Sequence, residues 1–174
     1  MSRKVLLVID MLKDFLDPSG ALYCGDESRK IIPPVQELLA KFRQSNEMII
    51  FLMDSHKPDD KEFEMFAPHC VAGTPGAELV PEIQTKEGDI LIPKTRFSAF
   101  YGTDLEKILE QEDIAEVHVS GVCTSICVME TVADLRNRDY PVIVHEQAVA
   151  DFDPEAHKFA LKRMENILGA RIEP

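Results

Sequence analysis

Five short apolar runs punctuate the chain: Val5–Ile9, Met48–Met53, Asp89–Ile92, Val117–Ser120 and Val142–Val144. Each is rich in Val, Ile and Leu and nearly continuous. That is the pattern of parallel strands covered on both faces, not of a half-solvated strand. Between the runs, apolar residues recur at helical spacing. Ser28–Ser45 aligns Ile31, Val35, Leu38, Leu39 and Phe42. Thr103–Glu112 aligns Leu105, Ile108 and Leu109. Thr124–Arg138 aligns Met129, Val132 and Ala133, with Leu135 and Arg136 at the rim. Pro154–Leu168 aligns Phe159, Ala160, Met164 and Ile167. The closing Arg171-Ile-Glu predicts an edge strand. Strand and helix therefore alternate, and the expected architecture is α/β, with a mostly parallel sheet and helices on both faces. Ser55–Glu87 carries no periodicity, and a connection that long in a compact domain is usually functional.

In open α/β sheets, ligands bind beyond the carboxyl ends of the strands. Polar residues at those ends are the first candidates for chemistry. Asp10 ends the first run, Asp54 and His56 follow the second, Lys94 follows the third, and Gly121 to Cys127 follow the fourth. Cys127 falls a few residues into a helix that Thr124 or Ser125 can cap, and the partial positive charge of a helix N-terminus favours a thiolate. A buried, inert cysteine is the competing interpretation. A carboxylate such as Asp10 beside the thiol disfavours ionisation, and a lysine within ion-pair reach reverses that. Asp54, His56 and His69, with Glu62 and Glu64 between them, offer the donors of an open site for Zn²⁺, Fe²⁺ or Mn²⁺. Solvated loop histidines are the alternative there. His118, His145 and His157 lack such company and are assigned structural or exposed positions. Cys123 is a packing residue whose backbone N–H matters more than its sulfur.

Composition narrows the classes. The 174 residues suit one domain, taken here as 1–174, and the 45% hydrophobic fraction needs no disulfide or metal staple. A formal net charge of −12 argues against nucleic-acid or anionic-membrane surfaces. No apolar segment reaches the length of a membrane span, and Val5–Ile9 is too short for a signal core. A cytoplasmic address with reduced thiols is the expectation for the four cysteines, Cys24, Cys70, Cys123 and Cys127.

Taken in order, these blocks carry a resemblance: Val5-Leu-Leu-Val-Ile-Asp10 with Asp14-Phe15; Asp54-x-His56; Pro68-His69-Cys70 and Gly73-Thr-Pro-Gly76; Lys94…Ser98-Ala-Phe100…Gly102-Thr103; Gly121-Val-Cys-Thr124-x-x-Cys127-Val. The chain resembles the isochorismatase-like cysteine hydrolases, and within them the nicotinamidases, or pyrazinamidases. The resemblance implies a three-layer αβα fold on a central six-stranded sheet. It implies a nicotinamide amidohydrolase of NAD salvage, acting on a linear amide C–N bond through a cysteine thioester. Other amide or carbamoyl hydrolases of the family, or a non-catalytic binding protein on the same fold, are the alternatives. Asp10, Lys94 and Cys127 match the catalytic triad, and the backbone N–H groups of Cys123 and Cys127 match the oxyanion hole. Asp54, His56 and His69 match ligands of one divalent ion, Zn²⁺ first, with Glu62 at the fourth place and Glu64 its competitor. Phe15 and Phe66 match aromatic residues against the substrate ring, with Val122 beside them, and the Val122–Cys123 bond matches a non-proline cis peptide. A small-molecule amide is the implied partner, and a homo-oligomer the implied assembly. The chain has no Trp, with Ser55 standing where relatives often carry one, and Leu12-Lys13 replaces Gln-Asn. Both departures are expected to alter the pocket wall.

Overall fold

The computed structural model describes residues 2–174. Six strands form one sheet: β1 (Arg3–Ile9), β2 (Met48–Asp54), β3 (Ile90–Lys94), β4 (Ile114–Val122), β5 (Val142–Ala150) and β6 (Arg171–Glu173). They lie in the order β3-β2-β1-β4-β5-β6, and every pairing is parallel. The helices are α1 (Lys13–Leu16), α2 (Ile32–Gln44), α3 (Leu105–Glu110), α4 (Met129–Asn137) and α5 (Pro154–Asn166). The three-layer α/β architecture expected from the sequence is therefore present, and its sheet is wholly parallel.

The near-continuous apolar runs exist because alternate residues serve two cores. Val5, Leu7 and Ile9 of β1 face one way and pack with Leu105, Leu109, Val132, Leu135 and Met164 from α3, α4 and α5. Leu6 and Val8 face the other way and pack with Val35, Leu39 and Phe42 of α2. The strand order reverses between β1 and β4, so a crevice opens beyond their carboxyl ends. Gly121 allows the close approach there. It pairs with Ile9 at φ +115°, and a Cβ on it would stand 1.9 Å from the Ile9 carbonyl oxygen.

Three expectations need correction. Phe159 and Ile167 do not face the core; they are 61% and 69% exposed. The buried stripe of α5 is Ala160, Leu161 and Met164; Phe159 precedes it by one position, and Ile167 lies past the last turn as the C-cap residue. The strand after Ile90 runs on through Pro93 to Lys94 because β3 is an edge strand, where proline's missing N–H costs no ladder bond. The fifth strand is longer than its apolar run, since exposed Glu146 and Gln147 interrupt it before Ala148–Ala150 re-enter the core.

Candidate active site and metal centre

The strand ends bring Asp10, Lys94 and Cys127 together at the β1/β4 crevice. Asp10 sits one residue past β1 at φ +52°, a conformation that Asp tolerates better than most residues. Its Oδ1 accepts the Asp54 N–H at 2.9 Å, which ties the ends of β1 and β2 together. Lys94 closes β3, and its Nζ reaches Asp10 Oδ2 at 2.9 Å and Asp54 Oδ1 at 2.5 Å. It also donates to the Arg96 carbonyl at 3.1 Å and lies 3.5 Å from Cys127 Sγ. Asp10 and Lys94 are fully buried to within 1%, and Cys127 to 7%.

Cys127 lies in the π-type turn Thr124–Val128 that leads into α4. The N–H groups of Ile126 and Val128 both donate to the Cys123 carbonyl, at 3.1 and 3.2 Å, and bracket the Cys127 amide in sequence. The Val122–Cys123 peptide is cis, as the resemblance implied. The turn is not capped by Thr124 or Ser125. Asp151, past the end of β5, accepts the Ser125 N–H at 2.7 Å instead, and Thr124 Oγ1 pairs with His157 Nδ1 at 2.9 Å.

Opposing electrostatic effects meet at Cys127. Burial raises the Cys127 thiol well above its ordinary range, Lys94 opposes this, and Asp10 and Asp54 add to it. Burial likewise raises Asp10 to about 6, aided by Asp54 and opposed by Lys94. Burial alone would lower Lys94, but Asp10, Cys127 and Asp54 outweigh it and hold the ammonium charged. The arrangement is a buried thiol whose proton is held more tightly than usual, within 4.8 Å of a carboxylate of raised basicity, with one cation beside both.

Next to this group stand Asp54, His56, Glu62 and His69, all buried, with one donor atom from each within 4.8 Å of the others. His56 Nε2 is 3.5 Å from Asp54 Oδ2 and 3.9 Å from Glu62 Oε1. His69 Nε2 is 3.9 and 3.7 Å from the same two oxygens. A tetrahedral ion with bonds of about 2.0–2.2 Å has ligand–ligand edges of roughly 3.3–3.6 Å, so the quartet is close to that size. The second nitrogens are already committed: His56 Nδ1 to Asp60 Oδ2 at 3.1 Å and His69 Nδ1 to the Ala67 carbonyl at 2.8 Å. Both Nε2 atoms are thereby free for an ion, and buried His56 Nε2 and Glu62 Oε2 have no hydrogen-bond partner. Burial disfavours the His56 imidazolium, yet Asp54, Asp60 and Glu62 draw its pKa up to about 8, so positive charge is stabilised at this point. The donor set and its spacing fit a divalent transition ion. Glu64 is exposed, which leaves Glu62 as the fourth donor.

Sequence reasoning missed Asp60 and Arg96. Asp60 accepts the Glu62 N–H at 2.9 Å and is clamped by Arg96 Nη1 at 2.9 Å while it orients His56. The Glu62 N–H first, then His56 and Arg96, hold its carboxyl down at about 2. Its one sequence signal was its place inside the non-periodic stretch. Asp14 was quoted only as motif; it accepts the Cys70 N–H at 2.7 Å and the Ala21 N–H at 3.0 Å, joining the His69 loop to the segment after α1.

A cavity of about 390 Å³ opens over both groups. Asp54, Glu62, His69 and Cys127 line its polar side, and Phe15, Phe66, Phe97, Val122 and Ile126 its apolar walls. The rings of Phe15 and Phe66 lie 5.6 and 6.2 Å from that of His69. Lys13 and Ser55 are not among the lining residues; Lys13 pairs with Glu78 at 2.6 Å, so the departure at that position does not reach the wall.

The isochorismatase domain family model matches residues 4–173. The chain belongs to the isochorismatase family. It is 38% identical to an uncharacterised isochorismatase-family protein of Bacillus subtilis (strain 168), over 98% of each chain. It is 35% identical to a probable inactive nicotinamidase of Arabidopsis thaliana, over 93% of this chain and 88% of that one. Among solved structures, a nicotinamidase/pyrazinamidase of Bacillus subtilis superposes with a TM-score of 0.94 at 37% identity, covering 99% of this chain and 100% of that one. An N-carbamoylsarcosine amidase of Thermoplasma acidophilum gives 0.89 at 34%, covering 98% and 95%. A pyrazinamidase of Pyrococcus horikoshii in complex with zinc gives 0.92 at 34%, covering 98% of each chain. Isochorismatase-family relatives with amide-hydrolase names thus share this fold along essentially their whole length. No helix among the described residues is long and apolar enough to cross a membrane.

Proposed function

We propose that this protein hydrolyses nicotinamide to nicotinate and ammonia through a thioester on Cys127. One observation carries the reading: Cys127, with Lys94 and Asp10 behind it, and Asp54, Glu62 and His69 of the quartet line one cavity between aromatic walls. A flat heteroaromatic amide suits apolar walls with a few convergent polar groups. An ion held by Asp54, His56, Glu62 and His69 would supply a Lewis-acid anchor for a ring nitrogen.

The remaining chemistry belongs to the chain. Asp10 accepts the Cys127 proton as sulfur attacks the carboxamide carbon, and Lys94 stabilises the separated charges. The Cys123 and Cys127 N–H groups receive the developing oxyanion; one such donor is worth about 2.7–4 kcal/mol of barrier. Asp10 then passes its proton to the leaving amine, which departs as ammonia. With Asp10 again as base, water attacks the thioester carbon, and the carbon–sulfur bond breaks to release the carboxylate and regenerate the thiol. Phe15, Phe66 and Val122 hold the ring while this happens.

The similarity to an N-carbamoylsarcosine amidase favours a second reading, hydrolysis of a carbamoyl group. Ammonia release from purified protein, measured with nicotinamide, pyrazinamide and an aliphatic carbamoyl compound, separates the two. Turnover of the two ring amides is the expected result. Turnover of the carbamoyl compound alone moves the protein to the second reading, and turnover of none leaves a binding protein on this fold.

A further inference from the structure

Two thiols at the cavity have no part in the hydrolysis. Cys24 follows α1 and is held by its N–H on the Phe15 carbonyl at 2.9 Å and by Ser28 Oγ on its own carbonyl at 2.9 Å. Cys123 stands 99 residues later, just past β4. Their sulfurs lie 3.5 Å apart, and both residues line the cavity. Cys24 and Cys123 keep 7% and 8% of their surface exposed, so both remain in the cavity wall and not sealed behind it. Cys70 differs: it is fully buried, and its Sγ faces the Gly76 carbonyl at 3.8 Å.

We propose that Cys24 and Cys123 form an oxidation site that hydrogen peroxide converts to an intramolecular disulfide across the cavity wall. One thiolate attacks the peroxide; the O–O bond breaks, and the sulfur becomes a sulfenic acid as water leaves. The second thiol attacks that sulfur, the S–O bond breaks, and the hydroxyl departs as a second water. Two thiols and one peroxide thus give one disulfide and two waters. Disulfide sulfurs stand about 2.05 Å apart, so closure brings the two sulfurs nearer by about 1.5 Å. Cys24 belongs to the segment that brings Leu22 and Tyr23 to the cavity, and Cys123 neighbours Val122. Closure narrows the ring slot and displaces the Cys123 N–H, so the oxidised form turns over more slowly. That consequence rests on the proposed function; the cross-link does not.

The test uses Cys127→Ala, which removes the competing nucleophile. The protein is treated native with a small excess of hydrogen peroxide, unfolded, alkylated with iodoacetamide and mapped without reduction. The expected product has lost two hydrogens, links the Cys24 and Cys123 peptides within one molecule and carries an alkylated Cys70. Alkylation of both Cys24 and Cys123, separate higher oxides on them, or a link only between molecules overturns the site. Wild type treated alike should lose ammonia release several-fold more, relative to its untreated form, than Cys24→Ser treated in the same way, and recover it with dithiothreitol. Unchanged turnover in a wild type shown to be cross-linked overturns the effect on catalysis. A wild type inactive on every amide before treatment refutes the proposed function, while the map still reads the cross-link.

Discussion

Lys94 Nζ lies 2.5 Å from Asp54 Oδ1, so one buried cation serves both the thiol cluster and the candidate metal centre. Asp10, Asp54 and Cys127 bring donor atoms within 4.8 Å of one another, a grouping that by itself resembles a second metal site. Lys94 fills it. Replacing Lys94 by Met therefore leaves two carboxylates buried without their partner, and breaking a buried pair costs about 3–5 kcal/mol. The expected outcome is a marked fall in Tm together with loss of turnover and weakened metal retention. Full metal affinity in a folded, inactive K94M protein would show that the two groups are independent.

In the proposed mechanism Asp10 and Cys127 exchange one proton, so their removal should not be additive. Cys127→Ala and Asp10→Asn are each expected to lower kcat by several orders of magnitude, and the double variant scarcely further. Cys123→Ala should retain much of the activity, since its backbone carries the proposed role. Asp10 must be ionised to accept the proton, and its pKa is raised to about 6 by burial and Asp54. In wild type, kcat/KM should accordingly fall tenfold per pH unit below about 6. A flat profile between pH 7 and 5 would remove Asp10 from the role of base.

The sequence was informative where one residue type does one job. Val5–Ile9 could only be a strand covered on both faces, and an Asp directly after it had to stand at the sheet's carboxyl end. Helix α5 was less legible because Phe159 is one position from the buried stripe and Ile167 lies just past the helix end, and apolar content distinguishes neither adjacent faces of a helix nor its last residue. At Cys127 the proximity to a helix start is visible in sequence, whereas the burial that works against the thiolate is not. Asp60 and Asp151 escaped notice because each works through a hydrogen bond to a neighbour's ring or amide, which no spacing encodes.

Asp60 tests the orientation of the metal centre without touching a ligand. Its carboxylate fixes the His56 tautomer and accepts the Glu62 N–H. Partners of this kind typically change metal affinity by about 10–100-fold. Asp60→Ala should weaken zinc binding by that amount in a competition titration with a chromophoric chelator, with Cys127 alkylated by a small thiol reagent at the wild-type rate. Unaltered zinc affinity would reduce Asp60 to a surface clamp for Arg96.

Acid stability should depend on a pair far from the chemistry. His118 Nδ1 and His145 Nε2 are 2.9 Å apart with stacked rings, and one must donate to the other. Protonating both would set N–H against N–H. Burial and His145 lower His118 to about 4, and burial lowers His145 as well. The edge of Phe42 packs on His118 from α2, while Glu116 and Lys4 are the charges nearest it and Lys41 and Glu173 those nearest His145. A histidine whose folded pKa lies below its unfolded value of about 6.5 binds its proton more readily in the unfolded chain. Stability from this source is complete above about pH 6.5 and is lost as pH falls towards 4. Tm measured at fixed ionic strength from pH 7 to 4 should decline through that window. His118→Leu, with Phe42 as its apolar neighbour and no imidazole to protonate, should flatten the decline. An equally steep decline in the Leu variant would assign the acid sensitivity to the buried carboxylates instead.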